Sequence, residues 1–160
     1  MDLEARIDQV LSTMNYGTYV VTAKADGQAD GVLASLVMQT SFRPRRLAVG
    51  IAKSRNIHHL MERGKTFVVN LLSERDTDLM ARFGGRHDGG DSRFSGVRTE
   101  RGVDDVPILS DALGYVECRV VDTYDAGDHT LFIADVVNGE QFRAGRVGST
   151  AQLNLTYEGD

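Results

Sequence analysis

Residues Gly31 to Asn56 read GVLASLVMQTSFRPRRLAVGIAKSRN, two apolar runs of strand length joined by a short link that holds Ser41, Phe42 and Pro44. The second run ends in Lys53, Ser54 and Asn56. A buried strand that serves only a core is rich in Val, Ile, Leu and Phe, whereas this stretch sets Ala34, Ser35, Gln39, Thr40 and Ser41 among its apolar residues. Small and hydroxyl-bearing side chains on a strand leave room for the close approach of a planar, polar-edged ligand. The cation and two hydrogen-bonding side chains that follow are placed to hold an anionic end of it.

Outward toward the N-terminus, Gly17 to Ala25 (GTYVVTAKA) alternates in the manner of a strand, and Asp26-Gly27 marks a turn, so a hairpin into Gly31 to Gln39 is expected. Ahead of it Leu3, Ile7, Val10, Leu11 and Met14 recur at helical spacing, which predicts a helix over Asp2 to Thr13 lying on the sheet or barrel. Toward the C-terminus, Arg46 to Ala52 is a third strand, after which Asn56 is expected to cap a helix carrying Ile57, Leu60 and Met61, closed by Gly64. Lys53, Ser54 and Asn56 then stand at a strand-to-helix junction, where free N–H groups and the helix dipole favour an anion. Spacing alone leaves two readings open there: a cap beside a solvated lysine, or an anion site.

Thr66 to Leu72 (TFVVNLL) is a fourth strand, and Ser73 with Asp76 opens a helix that ends near Phe83. Gly84 to Gly90 (GGRHDGG) has no preceding strand and no GxGxxG spacing, so it reads as a mobile loop, either a lid or a connection. After Pro107 come strands at Leu113 to Asp122 and Thr130 to Val137 with a turn at Asp125 to Asp128, and Gln152 to Tyr157 reads as extended. Many strands, few short helices and no βα alternation predict a mainly β chain, an antiparallel barrel with short peripheral helices, forming a single domain over residues 1–160.

With 160 residues and a formal net charge of -5, the chain can bury a real core but offers no positive surface for nucleic acid or anionic membrane. Its one cysteine, Cys118, lies in an alternating apolar run as a small buried hydrophobe, and the expected setting is cytoplasmic. His58-His59, His87 and His129 lack metal-ligand spacing, so no metal is expected, and there is no GxSxG elbow. With no side-chain catalyst in view, the reactive atoms belong to a bound cofactor that the protein holds and orients.

Gly31-Val32-Leu33-Ala34-Ser35, then Gln39-Thr40-Ser41-Phe42 and Pro44, Lys53-Ser54, and Phe67-Val68-Val69-Asn70-Leu71-Leu72 resemble, in that order, the flavin reductase-like family of FMN-binding split barrels. Phe83-Gly84, Pro107-Ile108-Leu109, Glu117-Cys118 and Gly127-Asp128-His129 continue the resemblance over nearly the whole chain. It implies an FMN-binding split β-barrel that forms a homodimer and moves hydride from NADH or NADPH to flavin, either bound FMN or, through it, free flavin or a protein electron acceptor; FAD in place of FMN is compatible. By the same resemblance Val32, Leu33, Ala34, Ser35, Gln39, Thr40, Ser41, Phe42 and Phe83 border the flavin, Lys53, Ser54 and Asn56 hold its phosphate, and His129 lies on the nicotinamide side. Leu33 stands where the family often has threonine, and the nearest flavour of resemblance is to reductase domains that work beside rubredoxin-like and diflavin electron carriers. Two other functions suit the same barrel: a non-catalytic FMN carrier, and a haem-binding split barrel using one of the histidines.

Overall fold

The computed structural model describes residues 1–85 and 92–155. In chain order the elements are α1 (Leu3–Leu11), β1 (Tyr19–Ala25), β2 (Gln28–Ala34), β3 (Val37–Phe42), β4 (Arg45–Ala52), α2 (Asn56–Gly64), β5 (Thr66–Leu71), α3 (Thr77–Phe83), β6 (Thr99–Arg101), β7 (Pro107–Leu109), β8 (Gly114–Asp125) and β9 (His129–Gln141). Seven strands form one sheet in the order β2-β1-β5-β8-β9-β4-β3, every neighbour antiparallel, and β6 pairs with β7 apart from it.

Strand order and chain order together close the barrel. β2 and β3 are the two outer edges of the sheet, yet only Ser35 and Leu36 separate them in sequence. From Ala34 to Val37 the chain can span no more than about 11 Å, so the edges must curl round until they lie side by side. The single strand expected over Gly31 to Gln39 is therefore two strands on opposite edges, broken inside an apolar run that holds no Gly, Pro, Asn or Asp.

The β1–β2 hairpin turns where the sequence placed it, with Ala25 opposite Gln28 and both Asp26 (φ 52°) and Gly27 (φ 77°) left-handed, as a tight two-residue turn requires. Inside the barrel Val21, Val32, Val49, Phe67, Val69 and Phe132 form the core, and α2 closes one mouth with Ile57, Leu60 and Met61. The left-handed residue that ends α2 is Lys65 (φ 62°) rather than Gly64. Gly64 is needed for another reason: a Cβ there would stand 2.7 Å from the Lys24 carbonyl oxygen, so α2 could not seat on β1. Burial pushes the Cys118 thiol up to about 12, which fits a packing role for it.

The outer face of the barrel has two unlike halves. Over β1 and β2 it is covered by α3 and the chain after it, with Val20, Leu72, Met80, Phe83 and Leu109 buried together. Over β3, β4, β9 and β8 it carries Met38, 64% exposed, and Tyr124, 67% exposed, in register with the half-buried Ile133 and Leu131. α1 also differs from expectation, because it buries none of its residues and does not lie on the barrel. The tail over residues 150–154 turns instead of extending, and Tyr157 and residues 86–91, on which most of the Gly84 to Gly90 expectation falls, lie outside the described residues. No helix among the described residues is long and apolar enough to cross a membrane.

Candidate functional site

The barrel is split where its edges meet. β3 pairs with β4 only as far as Val49, and Leu36 extends the contact by accepting a 2.8 Å hydrogen bond from the Gly50 N–H. Beyond it Ile51 and Ala52 have β9 on one side, and the free edge of β2, Val32 to Ala34, stands on the other without pairing. Val32, Leu33, Ala34, Ser35, Gly50, Ile51, Ala52 and Arg55 line a shallow cavity of ≈ 30 Å³ in this gap. Two strand edges that face each other without pairing present backbone N–H and C=O groups to whatever lies between them. Gly50 keeps the gap open, since a Cβ there would meet Leu36 Cβ at 3.1 Å.

The N-terminus of α2 lies at one end of this gap. Arg55 occupies the N-cap with no side-chain cap bond, and although the His58 N–H donates to the Arg55 carbonyl at 3.1 Å, the Asn56 and Ile57 N–H groups are left for an outside acceptor. Asn56, expected as the cap, is instead the first helical residue, and its Nδ2 donates to Asp30 Oδ2 at 3.2 Å. Ser54 is exposed on the turn. Lys53 turns the other way: its Nζ lies 2.6 Å from Asp125 Oδ1, and its N–H donates to the Asp128 carbonyl. The cation that lines the gap is thus Arg55, whose Nη1 donates to the Gly85 carbonyl at 2.9 Å. The sequence reading passed over Arg55, although it sits between two residues assigned to the anion.

His129 begins β9 directly opposite Ala52, on the sheet face that Gly50 and Ala52 share. It is 8% exposed, and its Nδ1 is 2.7 Å from Asp128 Oδ1. That contact holds the Asp128 carboxyl below the usual carboxylate range, as the Lys53 amine does for Asp125. The next residue, Thr130, points inward to His58, whose Nε2 is 2.6 Å from the Thr130 hydroxyl and whose Nδ1 is 3.2 Å from Glu62 Oε1. Both nitrogens of His58 are engaged, which disfavours it as a haem ligand.

The structure sets Val32 to Ser35 along the gap and His129 one strand away from it, opposite Ala52, but leaves other assigned residues outside it. Gln39, Thr40, Ser41 and Phe42 run away along β3, with Gln39 and Thr40 exposed and Phe42 74% exposed. At about 3.3 Å per residue their distance from Leu36 reaches ~20 Å at Phe42. Phe83 is fully buried behind β2, its ring 2.9 Å from where a Gly31 Cβ would stand. Larger hollows exist elsewhere, of ≈ 590 Å³ beside Leu113 to Val116 and ≈ 500 Å³ beside α3. Despite their size, neither joins facing strand edges to a helix N-terminus.

Comparison with known proteins bears on this geometry. The model of the flavin reductase like domain matches residues 11–157. The chain belongs to the flavin reductase-like family. It is by family a flavin-binding oxidoreductase domain. It is 36% identical to the diflavin flavoprotein A 1 of Synechocystis sp. over 89% of its own length and 25% of that protein's. It spans about a quarter of the length of the diflavin relatives it matches. A ferric-chelate reductase (NAD(P)H) of Archaeoglobus fulgidus is 30% identical, over 99% of this chain and 92% of that one. The flavin reductase PheA2 in its native state superposes with a TM-score of 0.74 at 28% identity, covering 88% of each chain.

Proposed function

We propose that this flavin reductase-like domain binds FMN in the gap between β2 and β4 and takes hydride onto it from NADH or NADPH, for delivery to free flavin or to a protein electron acceptor. The observation that carries the proposal is the pair of unpaired strand edges, Val32 to Ala34 and Ile51 to Ala52, facing each other beside the uncapped start of α2. A tricyclic ring with polar atoms along one edge fits strand edges, and a phosphate fits the helix start. Among relatives, the name of the Archaeoglobus reductase states NAD(P)H as donor.

The bound flavin would supply the atom that accepts hydride; the chain supplies binding and orientation. Main-chain groups of β2 and β4 would hold the polar edge of the ring, with Ser35 adding a hydroxyl at the gap's end. The first-turn N–H groups of α2, with Ser54, Arg55 and Asn56, would hold the phosphate. Lys53 supports this grip indirectly by fixing the Asp125 to Asp128 hairpin. His129, braced by Asp128, stands on the face where a nicotinamide would stack, and shielding that face helps set a short donor-to-acceptor approach.

A homodimer follows from what one chain leaves open. A cavity of ≈ 30 Å³ cannot cover a tricyclic ring, and the gap runs without a break into the apolar face of Met38, Leu131, Ile133 and Tyr124. A second copy against that face would bury it and wall the ring. This also gives the exposed Gln39 to Phe42 segment a role, near the partner's flavin. A cytoplasmic setting suits the lone buried thiol of Cys118.

The test is a fluorescence titration of the purified protein with FMN, alongside Ser35→Trp. Quenching to a saturable endpoint in the parent, and its loss when indole fills the gap, is the expected result. Equal FMN affinity in both proteins would place the flavin elsewhere.

A further inference from the structure

Five residues from four stretches of the chain form a ring of polar contacts at the helix end of the gap, closed by the Arg55–Asn56 peptide link. Arg93 is 7% exposed, and its guanidinium grips the chain leaving α3: Nη1 donates to the Phe83 carbonyl at 2.8 Å and Nη2 to the Gly85 carbonyl at 2.9 Å. The same Gly85 carbonyl accepts from Arg55 Nη1 at 2.9 Å. On the other side, the Arg93 Nε is 3.7 Å from Asp30 Oδ1. Asp30 in turn accepts from its neighbour Gly31 N–H at 2.7 Å and from Asn56 Nδ2 at 3.2 Å. Asn56 follows Arg55, and the ring is complete.

A buried guanidinium is costly unless it is paired and its hydrogens are spent. Burial lowers the pKa of Arg93, Asp30 opposes that, and the nearby Arg55 adds to it. A packing residue of similar length would avoid this cost, so the charge needs another explanation. What it supplies is position. Asp30 fixes Asn56, and Arg93 fixes the carbonyl on which Arg55 rests, so the first turn of α2 and its cation are held from both sides. Arg55 is the member of the ring that lines the gap, and it is held there by one exposed hydrogen bond that an arriving anion can replace.

We propose that Asp30 and Arg93 are positioning residues that hold Asn56 and Arg55 for the phosphate of a phosphorylated flavin, and so set the preference of this chain for FMN over riboflavin. The proposal rests on the flavin site argued above. Neither residue touches the ligand; both act through the α2 turn. The electrostatics make the assignment decisive for Asp30. A carboxylate near a phosphate repels it, so removal of that charge alone would tighten FMN binding. A positioning role requires the opposite.

The experiment is parallel titration of the full chain and of its Asp30→Asn and Arg93→Lys variants with FMN and with riboflavin, with thermal unfolding of each. One well-placed charge-assisted hydrogen bond is worth roughly tenfold in affinity, so the parent should bind FMN at least about tenfold tighter than riboflavin. Both variants should lose most of that margin while keeping the riboflavin affinity of the parent. Equal losses for both flavins would make the ring merely structural, and tighter FMN binding by Asp30→Asn would mean that its charge alone matters; either overturns the proposal. A parent that binds both flavins equally overturns it while leaving the flavin site in place, and a parent that binds neither removes the flavin site itself. Should Arg93→Lys not fold, Asp30→Asn decides the question.

Discussion

Leu36 and Gly50 meet where the barrel stops being continuous: the Gly50 N–H donates to the Leu36 carbonyl at 2.8 Å, and past this bond β4 pairs with no strand on that side among the described residues. Leu36 Cβ and Cδ1 lie 3.1 and 3.2 Å from where a Cβ on residue 50 would stand, a tight contact for any side chain there. The width of the gap proposed for the flavin therefore responds to the size of residue 50. Gly50→Val should push Leu36 and the end of β2 into the gap. Overpacking of this kind costs about 1–3 kcal/mol, which read as binding means a loss of roughly ten- to a hundredfold in FMN affinity. Isothermal titration checks it, and an unchanged Kd would mean that the gap is not the seat of the ring.

The two cations after β4 have different partners, so their variants should behave differently. Arg55 lines the gap, and Arg55→Ala should weaken FMN by about one to two orders of magnitude, as expected for a charge-assisted hydrogen bond to phosphate. Lys53 is held by Asp125, and Lys53→Ala should change FMN affinity less than that. A larger effect at Lys53 than at Arg55 would reverse the assignment.

The acidic hairpin carries a pH signature. Asp125 is held below the ordinary carboxylate range by the Lys53 amine and then by the Gly127 N–H, and Asp128 by the His129 imidazole. A carboxyl whose pKa is depressed by folding contributes its tie above the unfolded value, near 3.9, and loses it as pH falls through the lower folded value. NMR titration of the two carboxyls should give midpoints below that unfolded value, and His129→Ala should raise the Asp128 midpoint toward it. Midpoints at or above the free value would show that these contacts do not persist in solution.

A charge in the exposed apolar face should separate the subunits. Ile133→Lys places an ammonium between Met38 and Leu131, where a second copy is expected. Light scattering should report a dimer for the parent and a monomer for the variant, with weaker flavin binding in the latter. A parent that is monomeric at micromolar concentration with flavin bound contradicts this arrangement.

The strands were legible because period-two alternation and turn residues mark them. Asp26-Gly27 dictated its own hairpin, and Ser73 with Asp76 marked α3, the Ser73 N–H and hydroxyl both donating to Asp76 Oδ2. The break at Ser35-Leu36 was not legible, since the apolar run Val32 to Met38 continues through it with no Gly, Pro, Asn or Asp, and only strand order reveals that the chain changes edges. Asn56 looked like a cap because its residue type suits one; Asp30, remote in sequence, takes its side chain instead. Arg55 and Arg93 escaped notice for a related reason. Their roles come from carbonyls brought near by α3, and nothing local in the sequence distinguishes an arginine that grips backbone from one that faces solvent.

His129 offers a variant that separates binding from turnover. Its side chain is kept close to Ala52 by the β9 register and braced by Asp128. His129→Ala should leave FMN affinity nearly intact and slow reduction of the bound flavin, with a weaker dependence on nicotinamide concentration. The same reduction rate and dependence as in the parent would confine His129 to the hairpin.

The most direct measurement is anaerobic stopped-flow mixing of the FMN-loaded protein with NADH and, separately, NADPH, following the visible absorbance of the flavin. The expected result is bleaching at a rate that saturates with at least one nicotinamide, as bound donor and bound acceptor require. Flavin that binds in the gap and yet stays oxidised in the presence of both would contradict it, and would make the domain a carrier of FMN with no hydride chemistry of its own.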